Sequence, residues 1–402
     1  MSYPSRVRVT GPLAAHARGF AAELSRQGYR RKPVADQIRL LAHLSRWLLG
    51  KGLDTSNLTV SVLNEFLGAR RSQGYTLWLS PKALAPLTSY LRGSGVAVCE
   101  HAPALSPIEA LLSRYREYLV GTRGLTTGSA RGYIDMVRPF VGCLLVDDEL
   151  DWASVRAADV NGFVLAACRG RSIGSAKLVT TALRSLLIYA QLEDLTSLAL
   201  RDAVPAVAGR RLAGLPRSLQ PGEVRRLLAA CDRRNAAGRR DFAMLTLMSR
   251  LGLRAGEVCA LALDDIDWSA GELLIRGKGH RLERLPLPED VGQALSAYLQ
   301  RGRPATAQGR KVFVRVRAPH RALSSGGVSR AVVAAATRAG LGRVGAHVLR
   351  HTVATEMVRA GVPLPDIGQV LRHRRLTTTA IYAKVDRVGL RQLARRWPGG
   401  AT

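Results

Sequence analysis

The chain has 402 residues and carries 60 Lys+Arg against 30 Asp+Glu, a formal charge of +30 at pH 7. That length predicts two or three domains rather than one. The charge is spread along the whole chain, which disfavours a polycationic partner and favours a polyanion, most simply a phosphate backbone.

Lysine is scarce (Lys32, Lys51, Lys82, Lys177, Lys278, Lys311, Lys384), so an Arg-rich coding bias accounts for part of the charge as well. The cysteines Cys99, Cys143, Cys168, Cys231 and Cys259 stand far apart without a CxxC pair. This argues against a disulfide framework or a zinc site. No segment stays apolar and uncharged for the length of a membrane span, and the first residues lack an apolar signal core. The expectation is a cytoplasmic, nucleoid-associated protein.

In chain order, residues 1–100 and 105–200 read as amphipathic helices, with apolar positions three and four apart as in Ile38, Leu41, Leu44 and Leu48. The two stretches resemble each other at an offset of about 96 residues. Leu63-Asn64-Glu65-Phe66-Leu67 answers to Val160-Asn161-Gly162-Phe163-Val164, and the Gly28 turn before Ile38 answers to the Gly124 turn before Ile134. Either the first is a degenerate repeat of the second, or two unrelated helix sets share a hydrophobic rhythm.

Residues 203–218 have linker composition, with prolines, glycines and arginines and no helical stripe. A further domain, 219–402, opens with a helix start at Ser218, Pro221 and Glu223 and continues into an apolar helix over about 241–251. Leu273–Arg276 and Leu282–Leu287 flank a Gly-Lys-Gly turn and predict a hairpin. The fold class expected is mainly α with a small antiparallel β-sheet in the C-terminal domain.

Six residues of that domain carry candidate chemistry. Arg254 follows an apolar helix at a glycine bend in LGLRAGEV, with Glu257 three positions on as a support; an Arg that merely caps helix carbonyls is the alternative. His347 and Arg350, in GAHVLRHTVAT, share one helix face, and with Gly345 as lead-in His347 enters the first turn, where an anion is favoured. His351, next along, is read as structural or surface. Lys278 sits between two glycines at the hairpin tip, where a flexible ammonium can reach a cleft. His373 and Tyr382 complete the set nine residues apart, and Tyr298 is the only other tyrosine of the domain.

Arg254, Lys278, His347-Val-Leu-Arg350, His373 and Tyr382 together, in this order and spacing, resemble the signature of tyrosine recombinases, also called phage integrases. The resemblance extends to DDIDW after the first Arg, to Thr378 and Thr379, and to residues 107–195, which look like the family's core-binding (SAM-like) DNA-binding domain. Residues 1–100 are less specifically matched. Where the family commonly has Gly before the second His, this chain has Arg372, followed by Arg374 and Arg375. That departure leaves the local backbone open and adds positive charge near the site.

The resemblance implies a site-specific recombinase, serving integration or transposition of a mobile element, that cuts DNA through a 3′-phosphotyrosine at Tyr382 without metal or nucleotide. Arg254 and Arg350 would clamp the phosphate and stabilise the pentacoordinate transition state. Lys278 is the candidate acid for the 5′ leaving oxygen, His347 would accept the tyrosine proton, and His373 would donate to a phosphate oxygen. The partners implied are double-stranded DNA with a specific site, and a homo-tetramer in the synapse or a partner recombinase. The tail after Tyr382 would dock on a neighbouring subunit or on its own domain. A type IB topoisomerase and a non-catalytic DNA-binding protein are the rival readings.

Overall fold

The computed structural model describes residues 7–96, 105–196, 199–208, 217–277, 282–373 and 376–385. The chain divides into two compact units, one of residues 1–58, 62–99 and 214–402 and the other of residues 59–61 and 100–213. The first contains separate N-terminal and C-terminal cores.

The N-terminal core is made by α1 (Ala17–Arg26), α2 (Arg31–Gly50), α3 (Val60–Ser72) and α4 (Pro81–Gly93). Val34, Ile38, Leu41, Leu44 and Leu48 line the buried face of α2 and meet Phe20, Phe66 and Leu87. Three- and four-residue spacing stacks them into one apolar stripe, which is why this segment is a helix packed on its neighbours.

The other unit has α5 (Pro107–Glu117), α6 (Thr127–Cys143), α7 (Ala157–Cys168) and α8 (Ile173–Leu192). Ser106, Thr126 and Ser172 cap α5, α6 and α8 by accepting backbone N–H groups of the first turn. Between α6 and α7 lies a hairpin that the sequence reading lacked, β1 (Leu145–Val146) against β2 (Glu149–Leu150). Its turn residues Asp147 and Asp148 both have positive φ, +46° and +63°, as a two-residue hairpin turn needs. Two-residue strands leave no alternation to detect, and Asp-Asp is a weak turn signal.

Buried positions recur between these two helical sets. Val34, Ile38, Leu41, Leu44 and Leu48 of α2 have buried counterparts in Ala130, Ile134, Val137, Phe140 and Leu144, and Leu87 and Leu91 of α4 in Leu183 and Leu187 of α8.

In the C-terminal segment α9 (Pro221–Ala229) is capped at Gln220, not Ser218: the Gln220 N–H donates to Glu223 Oε2 at 2.8 Å. The apolar helix is α10 (Ala236–Leu251), longer at its start than the apolar run because Asn235 caps it. After α11 (Ala255–Ala260) comes a three-stranded antiparallel sheet, β3 (Ile266–Asp267), β4 (Glu272–Arg276) and β5 (Leu282–Pro286), with Leu274 opposite Arg284. The helices α12 (Glu289–Arg301), α13 (Ser325–Arg338), α14 (Ala346–Arg359), α15 (Leu364–Val370) and α16 (Leu376–Thr379) follow, then a 3-10 segment, Ala380–Val385. The core runs through α10, α12, α13 and the sheet, while Val353, Ile367, Leu371 and Tyr382 form a smaller cluster under the last turns. Among the described residues no helix is long and apolar enough to cross a membrane.

Candidate active site

Two helix ends build the site. The helix α10 stops at Gly252, whose φ of +59° is left-handed, and a Cβ there would lie 2.7 Å from Leu371 Cδ2. Glycine is therefore needed for both the turn and the close approach. The helix α15 stops in a Schellman turn: the His373 N–H donates to Gly368 O and the Arg372 N–H to Gln369 O, each at 2.8 Å. The left-handed residue of this turn is Arg372, at φ +56°.

The two arginines of the sequence signature are held at these ends. Arg350 is 3% exposed and donates Nη1 to Gly252 O at 2.7 Å and Nη2 to Leu371 O. Arg254 caps α11 and donates Nη1 to Glu257 Oε1 at 2.6 Å and Nη2 to Arg372 O at 3.4 Å. Helix C-termini carry partial negative charge, which suits them to hold guanidinium groups that still have donors to spare. Glu257, 4% exposed, also accepts the Arg254 N–H at 2.9 Å and Arg372 Nη2 at 3.1 Å. Burial pushes its carboxyl up, but Arg372 and Arg254 outweigh that and hold it below the usual carboxylate range.

Gly345 is the N-cap of α14, so His347 stands in its first turn, and Arg350 follows on the same face. Tyr382 is 1% exposed. The His373 ring stacks near the Tyr382 ring, with centroids 6.3 Å apart and planes at 9°, and His373 Nδ1 is 2.8 Å from Thr379 Oγ1. His351 Nδ1 lies 2.8 Å from the Tyr382 hydroxyl oxygen. Five of the six expected residues therefore converge. Lys278 lies outside the described residues; β4 ends two positions before it at Arg276, which Asp265 of the DDIDW motif ties at 2.7 Å.

Burial, and then Arg350 and Arg254, lower the pKa of His347; for His373 the same causes, with His351 and Arg372, bring it to about 4. Both are neutral at pH 7. Arg350 is lowered to about 10 by burial and by its neighbours Arg254 and Arg372, and remains charged. Burial raises the Tyr382 phenol while Arg350 and Arg254 pull it back. Clustered guanidinium groups, one shared carboxylate and neutral imidazoles around a phenol make a site short of negative charge, suited to a phosphate.

The family model described as the phage integrase family matches residues 217–387. Over 404 residues the chain is 40% identical to the putative integrase/recombinase y4rA of Sinorhizobium fredii, covering 97% of this chain and 96% of that relative. The chain belongs to the phage integrase family of tyrosine recombinases. It is also 34% identical over 306 residues to the tyrosine recombinase XerD of Mycobacterium tuberculosis, covering 72% of this chain and 96% of that one. In fold it is similar to the XerH site-specific recombinase bound to a palindromic difH substrate in a post-cleavage complex (TM-score 0.53, 19% identity, 84% of this chain and 95% of that one). A lambda integrase dimer bound to a COC′ core site is similar to the same degree (TM-score 0.52, 19% identity, 73% and 98%).

For a member of this family, Arg372 is the departure, and its geometry is explained. The backbone adopts the left-handed turn a glycine would favour, and the side chain, 4% exposed, folds back onto Glu257. The charge that Arg372 adds is thus paired at Glu257, while Arg374 and Arg375 lie outside the described residues. His351 is the residue that sequence reasoning missed. Judged from Arg350 it is one step off the face, but it is four positions from His347, and that spacing puts the two rings on one side, 6.4 Å apart.

Proposed function

We propose that this tyrosine recombinase cuts and rejoins double-stranded DNA at a specific site, with Tyr382 attacking a phosphate clamped by Arg254 and Arg350. The observation that carries this is that both guanidinium groups, fixed at two helix ends, act on the Tyr382 phenol, with the His373 ring stacked near it and His347 facing the same two arginines. Attack by the Tyr382 oxygen on phosphorus displaces the 5′ oxygen of the next nucleotide and leaves a 3′-phosphotyrosine, which keeps the energy of the diester for religation. The arginines stabilise the added charge of the pentacoordinate state, His373 donates to a phosphate oxygen, and Lys278 protonates the leaving oxygen.

Four cleavages for two duplexes call for a tetramer on DNA, or a pairing with a second recombinase. Residues 105–200 are the core-binding domain, residues 219–402 the catalytic domain, and residues 1–100 a degenerate second copy of the core-binding domain, supported by the recurrence of buried positions. A protein acting on chromosomal or mobile-element DNA works in the cytoplasm at the nucleoid. The family relatives are named recombinases and integrases, and no observation favours the topoisomerase or non-catalytic reading.

The test is covalent capture of nicked duplexes tiling the DNA that flanks the gene. The wild type gives a denaturation-resistant protein–DNA band, and Tyr382→Phe binds the same duplex without one. A band that persists in Tyr382→Phe removes Tyr382 as the nucleophile.

A further inference from the structure

We propose that His351 is a catalytic residue: its Nδ1 takes the Tyr382 proton as the phenol oxygen attacks phosphorus. This rests on the reading of Tyr382 as nucleophile, and it moves the role expected for His347 one helical turn along α14. The contact is direct, at 2.8 Å from Nδ1 to the hydroxyl oxygen, within the reach a general base needs. Among the described residues it is His351, not His347, that meets the Tyr382 hydroxyl; the His347 ring lies 6.4 Å from that of His351, centroid to centroid, and Arg254 as well as Arg350 acts on it electrostatically. That is the position of a phosphate donor.

Four groups face His351. His347 and Arg350 come from its own helix, Tyr382 from the 3-10 segment packed on α14, and His373 from the turn after α15. Burial, His347 and Arg350 all lower the His351 pKa, so the ring is neutral at pH 7. A neutral ring with its proton on Nε2 presents a lone pair at Nδ1, and the phenol donates to it.

The step balances within the site. The phenol O–H bond breaks and its proton goes to Nδ1 while the oxygen's electron pair forms the O–P bond. The P–O bond to the leaving 5′ oxygen breaks with its electrons, and that oxygen is protonated by the acid of the reaction. His351 becomes an imidazolium beside Arg350 and His347, a repulsion that the anionic phosphate in the site offsets. On religation the same proton returns to the phenol oxygen.

The experiment measures single-turnover covalent complex formation on a duplex captured by the wild type. His351→Asn keeps an acceptor atom near the Nδ1 position but cannot take a proton, and His351→Ala removes both. Both variants should cleave about 10²–10⁴-fold more slowly, the usual worth of a general base. Replacing Tyr382 by difluorotyrosine, a more acidic phenol, should restore much of the rate to His351→Asn and little to His347→Ala.

Cleavage by His351→Asn at the wild-type rate or faster would overturn the proposal, since His351 would then only park Tyr382. No rescue by difluorotyrosine would overturn it too. Should the wild type bind its duplex and form no covalent complex, the nucleophile reading falls, and this assignment with it.

Discussion

Arg372 donates its Nη2 to Glu257 at 3.1 Å from a left-handed backbone position, on the carboxylate that also holds Arg254 through Oε1 at 2.6 Å. The two side chains of the pair are each 4% exposed. A left-handed conformation costs a non-glycine residue about 1–2 kcal/mol. The ion pair offsets that cost and couples the turn carrying His373 to the cap carrying Arg254.

The first prediction concerns this pair. Glu257→Gln leaves the buried Arg372 charge uncompensated and should destabilise the protein by about 3–5 kcal/mol. In an Arg372→Gly background the same substitution should cost clearly less, because the stranded charge is gone and glycine suits the turn. Urea denaturation of the four proteins of this cycle measures the coupling, and additive losses would show that the pair is energetically idle. The pH dependence has a defined sign. A carboxyl held below its ordinary value of 4.5 contributes stability above that pH and loses it as pH falls. The wild type should therefore lose more stability below pH 4.5 than Arg372→Gly does.

Gly252→Ala tests the other helix end. The substitution imposes a side chain at φ +59° and sets a Cβ against Leu371 Cδ2. A loss of about 1–2 kcal/mol is expected from the backbone alone. Because Gly252 O receives Arg350 Nη1, covalent complex formation should slow as well. Asparagine, which tolerates left-handed backbone better, should lose less than alanine in thermal denaturation.

His373 gives a third prediction. With a folded pKa of about 4 against an ordinary 6.5, its neutral form contributes stability above pH 6.5 that is lost as pH falls toward 4. His373→Asn should flatten the stability curve across that window. A phosphate bound beside His373 opposes the effect of Arg350 and Arg254, so NMR titration of the ring should report a higher pKa in the DNA complex than in the free protein. An unchanged value would place His373 away from the phosphate.

The legible part of this molecule was local. Three-residue spacing marks Arg254 with Glu257, which are ion-paired at the start of α11, and His347 with Arg350, which share a face of α14. Helical periodicity marks α2, an apolar run marks α10, and two short strand-like runs flanking a Gly-Lys-Gly turn mark β4 and β5. Long-range relations were not legible. No spacing rule shows that Arg350 binds carbonyl groups of Gly252 and Leu371, or that Arg372 turns back to Glu257 across 115 residues of chain. The contact of His351 with the Tyr382 hydroxyl is equally hidden, because spacing from its neighbour Arg350 alone turns it off the shared face. The two-residue strands β1 and β2 are too short to carry a pattern.

The last prediction separates the chemical roles by how each variant fails. Tyr382→Phe removes only the phenol oxygen and its contact with His351, so folding and DNA binding survive while the covalent link vanishes. Arg350→Lys keeps the buried charge but loses the fork that reaches Gly252 O, Leu371 O and a phosphate at once. Loss of one transition-state donor should slow cleavage by about 10²–10³-fold, or about 2.7–4 kcal/mol. Under the assignment of Lys278 as the acid, Lys278→Ala leaves the phosphate clamped and the nucleophile in place, and fails because the 5′ alkoxide must depart unprotonated. A duplex with sulfur at the bridging 5′ position releases a thiolate, which needs no proton. That substrate should restore cleavage to Lys278→Ala and rescue neither Tyr382→Phe nor Arg350→Lys. If Lys278→Ala stays slow on the sulfur duplex, the lysine is not the acid, and the leaving oxygen takes its proton from another group, with His347 next in line.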